Sequence, residues 1–368
     1  MPALWQGGCV GKCRSCAIEV RRSLSALLFR GFIPAARMIS RFTLLLLLVS
    51  LAILPACKKE PTPQASTSKL VLLLSADLQH PFEMGQTLML KRFAANRAEY
   101  VLKTLDAAGS ADKQARQLAE VLSNKPYAII ITPIDSNALL QEVKRAVQEG
   151  VLVISLGEGT PPLPSSSTLV VDQRQLGRLA GEIAVRSLTL KAQDEAKNEI
   201  VGRLVELRGD ENSPLSTARH EGFMEEVSKV PGLILVHDAP GQWTREGGRE
   251  RTTEAMRLQN RFDVLYAHND SMALGAAFAL GIQRQEVLII GSDGFLGDEG
   301  GLSLVNSGVI DASVYQPPLV DLAWQIILRR AEDPNFTPKP NYKVAPIAIT
   351  PKTVDDLRRS GPPPLPAL

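Results

Sequence analysis

The sequence predicts an α/β protein built as two doubly wound lobes of mainly parallel sheet. Three observations point there. Short apolar runs alternate with amphipathic segments from Lys69 onward, and this alternation restarts at "LGRLAGEIAVRSL". The body of about 300 residues also exceeds what a single hydrophobic core usually organises.

In the first lobe "KLVLLLS" reads as a strand, "FEMGQTLMLKRFAANR" as a helix and "YVLKTLDA" as a strand. "ADKQARQLAEVLSN" follows as a helix, "YAIIITP" as a strand, "NALLQEVKRAVQEG" as a helix and "VLVISLG" as a strand. The last of these helices shows its period plainly. Leu139, Leu140, Val143, Ala146 and Val147 share one face, and Gly150 stands as a stop. Strands this continuously apolar are expected to be covered by helices on both faces. Pro/Ser-rich "GTPPLPSSS" marks the approach to the junction between lobes.

In the second lobe the helices are "LGRLAGEIAVRSL", "TARHEGFMEEVSKV", "REGGRERTTEAMRL" and "SMALGAAFAL". Between them run the strands "EIVGRLVEL", "LILVHDAP", "DVLYAH" and "VLIIGSD". "GPPPLPAL" at the end reads as a disordered tail.

Composition narrows the function. With 45% hydrophobic and 22% charged residues, the chain is ordinary globular protein. The net charge of +2 arises from the first 56 residues, which hold seven Lys/Arg against Glu19 alone. Beyond them stand 34 basic and 38 acidic residues, a mildly acidic body without the clustered cations of a nucleic-acid binder. No G-x-S-x-G, H-E-x-x-H, P-loop lysine or G-x-G-x-x-G pattern occurs. The four histidines (His80, His220, His237, His268) are dispersed, without metal-ligand spacing. The expectation is a protein that is not an enzyme and uses no cofactor or metal.

The N-terminal region carries a different signal. Phe42–Leu54 is a thirteen-residue apolar run, short for a bilayer span but the right length for the core of a signal peptide. Leu54-Pro55-Ala56-Cys57 resembles the lipobox of bacterial lipoproteins, in which the cysteine is acylated and becomes the first residue. "MISRFTLLLLLVSLAILPAC" is a complete signal from Met38. Cys9, Cys13 and Cys16 have a C-x3-C-x2-C spacing that could hold iron or zinc. The competing reading, preferred here, is that 1–37 is untranslated or removed. No cysteine follows Cys57, which suits an exported protein.

In open α/β sheets a ligand sits beyond the carboxyl ends of the strands. The residues following successive strands include Phe82, Arg219, Trp243, Asn269, Asp293 and Gln316. Two aromatic faces for stacking, with guanidinium, carboxylate and amide groups for hydroxyls, suit a sugar. Each also has a plain structural reading: Asn269 and Asp293 as helix caps or turn residues, Arg219 as a surface charge, Trp243 as a core anchor.

From Leu70 to about Ile347 the chain resembles the periplasmic sugar-binding proteins of ABC importers of the ribose/galactose type. "YAHNDSMALGAAFAL" carries the resemblance most specifically, with "GSDG", "ARHEGF" and "VYQPP" in order. It implies the type I periplasmic binding protein fold, two Rossmann-like lobes joined by a multi-crossover hinge near Asp172, Gln316 and Ala345. The implied organisation is a signal peptide at 38–56, a tether at 57–68 and a first lobe of 69–172 with 317–345. A second lobe of 173–316 with 346–357 and a tail of 358–368 complete it. Arg219, Asn269, Asp293 and Gln316 would bind hydroxyls, and Phe82 and Trp243 would sandwich the ring. The first-lobe half departs from the ribose pattern: His80 replaces Asn, Glu83 replaces a second aromatic, and Gly157-Glu158 stands for Asp-Arg. His80, Glu83 and Glu158 are therefore included as candidate contacts, and ribose is not the expected ligand. The implied partners are a sugar, ABC permease subunits and, through Cys57, a membrane, with the protein a monomer outside the cytoplasm. Alanine at Trp243 or Asp293 is expected to weaken binding with the fold intact.

Overall fold

The computed structural model describes residues 68–157, 161–294, 297–361 and 368. Residues 1–37, the signal, the tether up to residue 67 with Cys57, and Glu158 lie outside them. Two six-stranded sheets have the same permutation of strands. The first comprises β1 (Lys69–Ser75), β2 (Tyr100–Asp106), β3 (Ala128–Ile131), β4 (Leu152–Leu156), β5 (Ser167–Val171) and β11 (Asn341–Val344), ordered β2-β1-β3-β4-β5-β11. The second comprises β6 (Gly202–Arg208), β7 (Leu233–Pro240), β8 (Val264–Ala267), β9 (Leu288–Asp293), β10 (Ala312–Tyr315) and β12 (Ile347–Ile349), ordered β7-β6-β8-β9-β10-β12. Every pairing is parallel except β10 with β12.

The sequence produces this layering directly. Along β1, Val71 and Leu73 enter one core while Leu72 and Leu74 enter another, so consecutive apolar residues feed helices on opposite faces. The edge strands β2 and β7 are only partly buried, which corrects the expectation that all strands are covered on both sides. Helices α1 (Pro81–Ala95), α2 (Ala111–Leu122) and α3 (Ser136–Gln148) serve the first sheet. Helices α4 (Gln173–Asp194), α5 (Pro214–Val227), α6 (Arg245–Leu258), α7 (Asp270–Leu280) and α8 (Gly301–Asn306) serve the second.

The chain passes between the sheets three times among the described residues. After β5 it enters α4, whose Leu176, Ala180 and Ala184 pack in the second-lobe core. After β10 it returns as α9 (Leu319–Glu332), with Leu322, Ala323 and Ile326 in the first-lobe core. It crosses again between β11 and β12. Helix α10 (Val354–Ser360) then packs Val354 and Leu357 on the second lobe. Its last three residues fall where the sequence suggested a tail; acidic residues in its first turn and basic ones in its last suit the helix dipole. No helix among the described residues is long and apolar enough to cross a membrane.

Candidate functional site

The close crossing of α4 over α5 sets the base of the cleft. A side chain at Gly222 would lie 2.0 Å from the carbonyl oxygen of Arg174, so glycine permits the two helix backbones to touch. The contact brings Gln173, at the start of α4, against Arg219 on α5. Arg219 is 2% exposed. Its Nε donates to Gln173 Oε1 at 2.8 Å, and its Nη2 donates to Gln316 Oε1 at 3.2 Å and to Asp293 Oδ1 at 3.3 Å. Its Nη1 donates to the carbonyl of His268. Gln173 Nε2 also donates to Gln316 Oε1, at 2.6 Å.

The other second-lobe residues are fixed around this cation. Asp293 ends β9 with φ of +91°, a strained backbone for an aspartate, and is nearly buried. Burial pushes its carboxyl up, while Arg219 pulls it down; the net direction is upward. Asn269 caps α7 by accepting from the Met272 amide at 2.8 Å, and its Nδ2 donates to the Trp243 carbonyl at 2.8 Å. One side chain thus caps a helix and ties down the loop carrying the indole. Trp243 packs closely against Gly209, where an added Cβ would come within 2.0 Å of the ring. The Arg219 guanidinium carbon is 5.3 Å from the indole centroid.

From the first lobe, Phe82 and Glu83 project from the first turn of α1, and His80 occupies its N-cap. Glu83 accepts from Ser75 Oγ at 2.8 Å and Thr132 Oγ1 at 3.2 Å. Burial raises its pKa despite those two donors. His80, Phe82, Glu83, Arg219, Trp243, Asn269, Asp293 and Gln316 all line a single cavity of about 170 Å³ between the lobes.

Residues that strand-end reasoning passed over hold these groups in place. Asp270 is fully buried and accepts from the Gly294 amide at 2.6 Å, the Gly301 amide at 2.9 Å and Ser313 Oγ at 2.6 Å. It thereby fixes the loop after Asp293. Burial and the neighbouring Asp293 push its carboxyl up to about 8, against the three donors. The dispersed histidines also need correction, because His220 and His268 converge on Glu206. His268 Nε2 lies 2.9 Å from Glu206 Oε1 and His220 Nδ1 lies 2.7 Å from Oε2. The Gly209 amide donates to His268 Nδ1 at 3.3 Å, which puts the ring proton on Nε2, facing Glu206. Ligand atoms of Glu206, His220 and Asp238 approach within 4.8 Å of one another. Asp238 is nevertheless clamped by Arg208 through two hydrogen bonds, so the group is a charge network beneath the cleft. The signal was a lone carboxylate inside the apolar strand "GRLVELR".

Burial would raise Glu206, but the hydrogen bonds from His220 and His268 overcome it and hold the carboxyl at about 2. Its folded pKa thus lies below the unfolded value of about 4.3, so its stabilisation is complete above that pH and drains away as pH falls through about 2. Urea titrations at pH 7 and pH 3 are expected to show wild type losing on the order of 2 kcal/mol more than Glu206→Gln. Equal losses in the two proteins would remove Glu206 from the acid limb.

Two lobes linked by three crossings, with aromatic and polar groups from both facing one cleft, define a hinged ligand-binding protein. The sequence profile of the periplasmic binding protein domain matches residues 71–327. The chain belongs to that family; it is a binding protein and not an enzyme, and it works outside the cytoplasm. The ribose import binding protein of Haemophilus influenzae is 26% identical over 257 residues, 69% of this chain and 82% of that one. That of Bacillus subtilis is 25% identical over 295 residues, 78% of this chain and 91% of its own. The fructose-binding periplasmic domain of a hybrid two-component system shares the fold, with a TM-score of 0.68 at 22% identity, over 79% of this chain and 94% of that one.

Proposed function

We propose that the protein captures a neutral sugar or sugar-like ligand between its lobes and delivers it to an ABC importer, held at the membrane by acylation of Cys57. The convergence of Phe82, Arg219, Trp243, Asn269, Asp293 and Gln316 on one cavity carries this reading. Phe82 and Trp243 stand on different lobes, so a ring stacked between them makes more contact in a closed form than in an open one. A ligand shifts the hinge equilibrium only through such a difference in affinity. The relatives reported above are named as importing ribose, and others are named for D-allose and galactofuranose.

The altered first-lobe half, with His80 and Glu83 facing the cavity, supports a ligand other than ribose. A thermal-shift screen of monosaccharides, disaccharides, polyols and furanoses is expected to raise Tm for a small set of related compounds, because a ligand bound only by the native state stabilises it. A screen with no shift from any sugar would remove this reading. The alternative is a receptor that reports its ligand to a kinase or chemotaxis partner without transport. The fructose-binding periplasmic domain that shares this fold belongs to a hybrid two-component system, which supports keeping that alternative. Uptake of radiolabelled ligand by cells producing the protein with its permease separates the two.

A further inference from the structure

We infer that the ligand bears an apolar substituent on its polyol part, housed in a second compartment of the cleft on the hinge side. The inference rests on the sugar reading above and adds the class of sugar. Behind the cavity of about 170 Å³ lies one of about 370 Å³. The two share Phe82, Glu83, Leu215 and Gln316 as a common wall. Alone, the outer compartment is smaller than the roughly 300–1,000 Å³ of ordinary ligand sites. The inner one is more than twice its size.

The inner compartment has different chemistry. Its polar side chains are largely committed to protein partners. Asp172 Oδ2 is paired with Lys343 Nζ at 2.8 Å. Gln173 is engaged by both Arg219 and Gln316. Gln86 accepts from the Leu319 amide at 2.9 Å, and Arg174 Nη1 donates to Glu221 at 2.7 Å. Thr132 donates to Glu83. Among the described residues these side chains already have protein partners, and a hydroxyl buried here without a partner of its own would be costly. The apolar side chains that share the lining with them include Phe82, Leu156, Val170, Leu215, Ala218 and Leu319.

Leu215 is 48% exposed on the first turn of α5, a large apolar side chain presented to the cleft. Covering such surface is favourable by about 25 cal/mol per Å². The compartment also adjoins the crossings, with Asp172, Gln316 and Lys343 in its lining. Displacement in a hinge rotation grows with distance from the axis, so this space survives closure better than the cleft mouth does.

The test is calorimetry with free monosaccharides and their phenyl α- and β-glycosides. At least one phenyl glycoside is expected to bind roughly tenfold or more tightly than its parent sugar, the yield of burying about 60 Å² of apolar surface. Ala218→Phe fills the inner compartment from α5 and is expected to abolish that advantage, with parent-sugar affinity within about threefold of wild type. Val170→Phe, from β5, does the same should the first variant fold poorly. If parent sugars bind and no phenyl glycoside binds more tightly, the compartment is overturned while the sugar reading stands. If the advantage persists in both filled variants, the substituent lies elsewhere and the inference falls. Binding of neither series ends the sugar reading and this inference with it.

Discussion

Arg219→Ala is expected to weaken ligand binding by roughly a hundredfold or more and to destabilise the fold by about 3–5 kcal/mol, the range for breaking a buried ion pair from one side. The guanidinium is 2% exposed and serves four acceptors: Asp293, Gln316, Gln173 and the His268 carbonyl. Without it the Asp293 carboxylate remains buried with its partnering cation gone, and burial already pushes that carboxyl upward. Lysine should recover little, because one ammonium cannot reproduce a planar fork directed at several acceptors. Urea denaturation and calorimetry on Arg219→Ala and Arg219→Lys check both parts. A variant with wild-type stability would show that the buried pairing is unimportant.

The same network bears on a second substitution. Asp293→Ala is expected to weaken binding with the fold intact, and because Asp293 accepts from the buried Arg219 its removal is also expected to cost stability. Trp243→Ala is the cleaner probe of the ligand. It is expected to cost about 2–4 kcal/mol of binding, the range for truncating an aromatic anchor, with a smaller loss of stability. The indole is partly exposed and rests on the Gly209 backbone and the Arg219 guanidinium. Asn269 holds the loop through the Trp243 carbonyl, and that hydrogen bond survives the substitution. A loss of affinity below about twofold would mean that the ring does not stack on the indole.

Much of the architecture was legible because the strands are strongly patterned. "KLVLLLS" coincides with β1 and "LILVHDAP" with β7, and "REGGRERTTEAMRL" coincides with α6. Helices α8, α9 and α10 were not read individually, and neither were the short strands β5, β11 and β12. Their five, four and three residues offer little periodicity, and long-range pairing at the crossings decides their conformation. The strand-end rule collected Phe82, Arg219, Trp243, Asn269, Asp293 and Gln316 because each follows a strand of a parallel sheet.

That rule could not find Gln173, which reaches Arg219 only because α4 crosses α5 at Gly222. Nor could it find the two histidines on Glu206, which are separated from it by 14 and 62 positions in the chain. Asp270 lay inside the quoted "HND", next to Asn269. It remained unassigned because its partners, Gly294, Gly301 and Ser313, belong to segments far along the sequence. Local pattern locates the strand ends, whereas the tertiary hydrogen bonds that hold them become visible only when the sheets are assembled.

The claim that the cleft between the lobes is a sugar site is tested most directly by one calorimetric titration. The sugar giving the largest thermal shift is titrated into wild type and into Trp243→Ala. The expected result is saturable binding at one site per chain in wild type, weakened by roughly thirtyfold or more in the variant. Equal affinity in the two proteins, or no heat from wild type with any sugar, would contradict it.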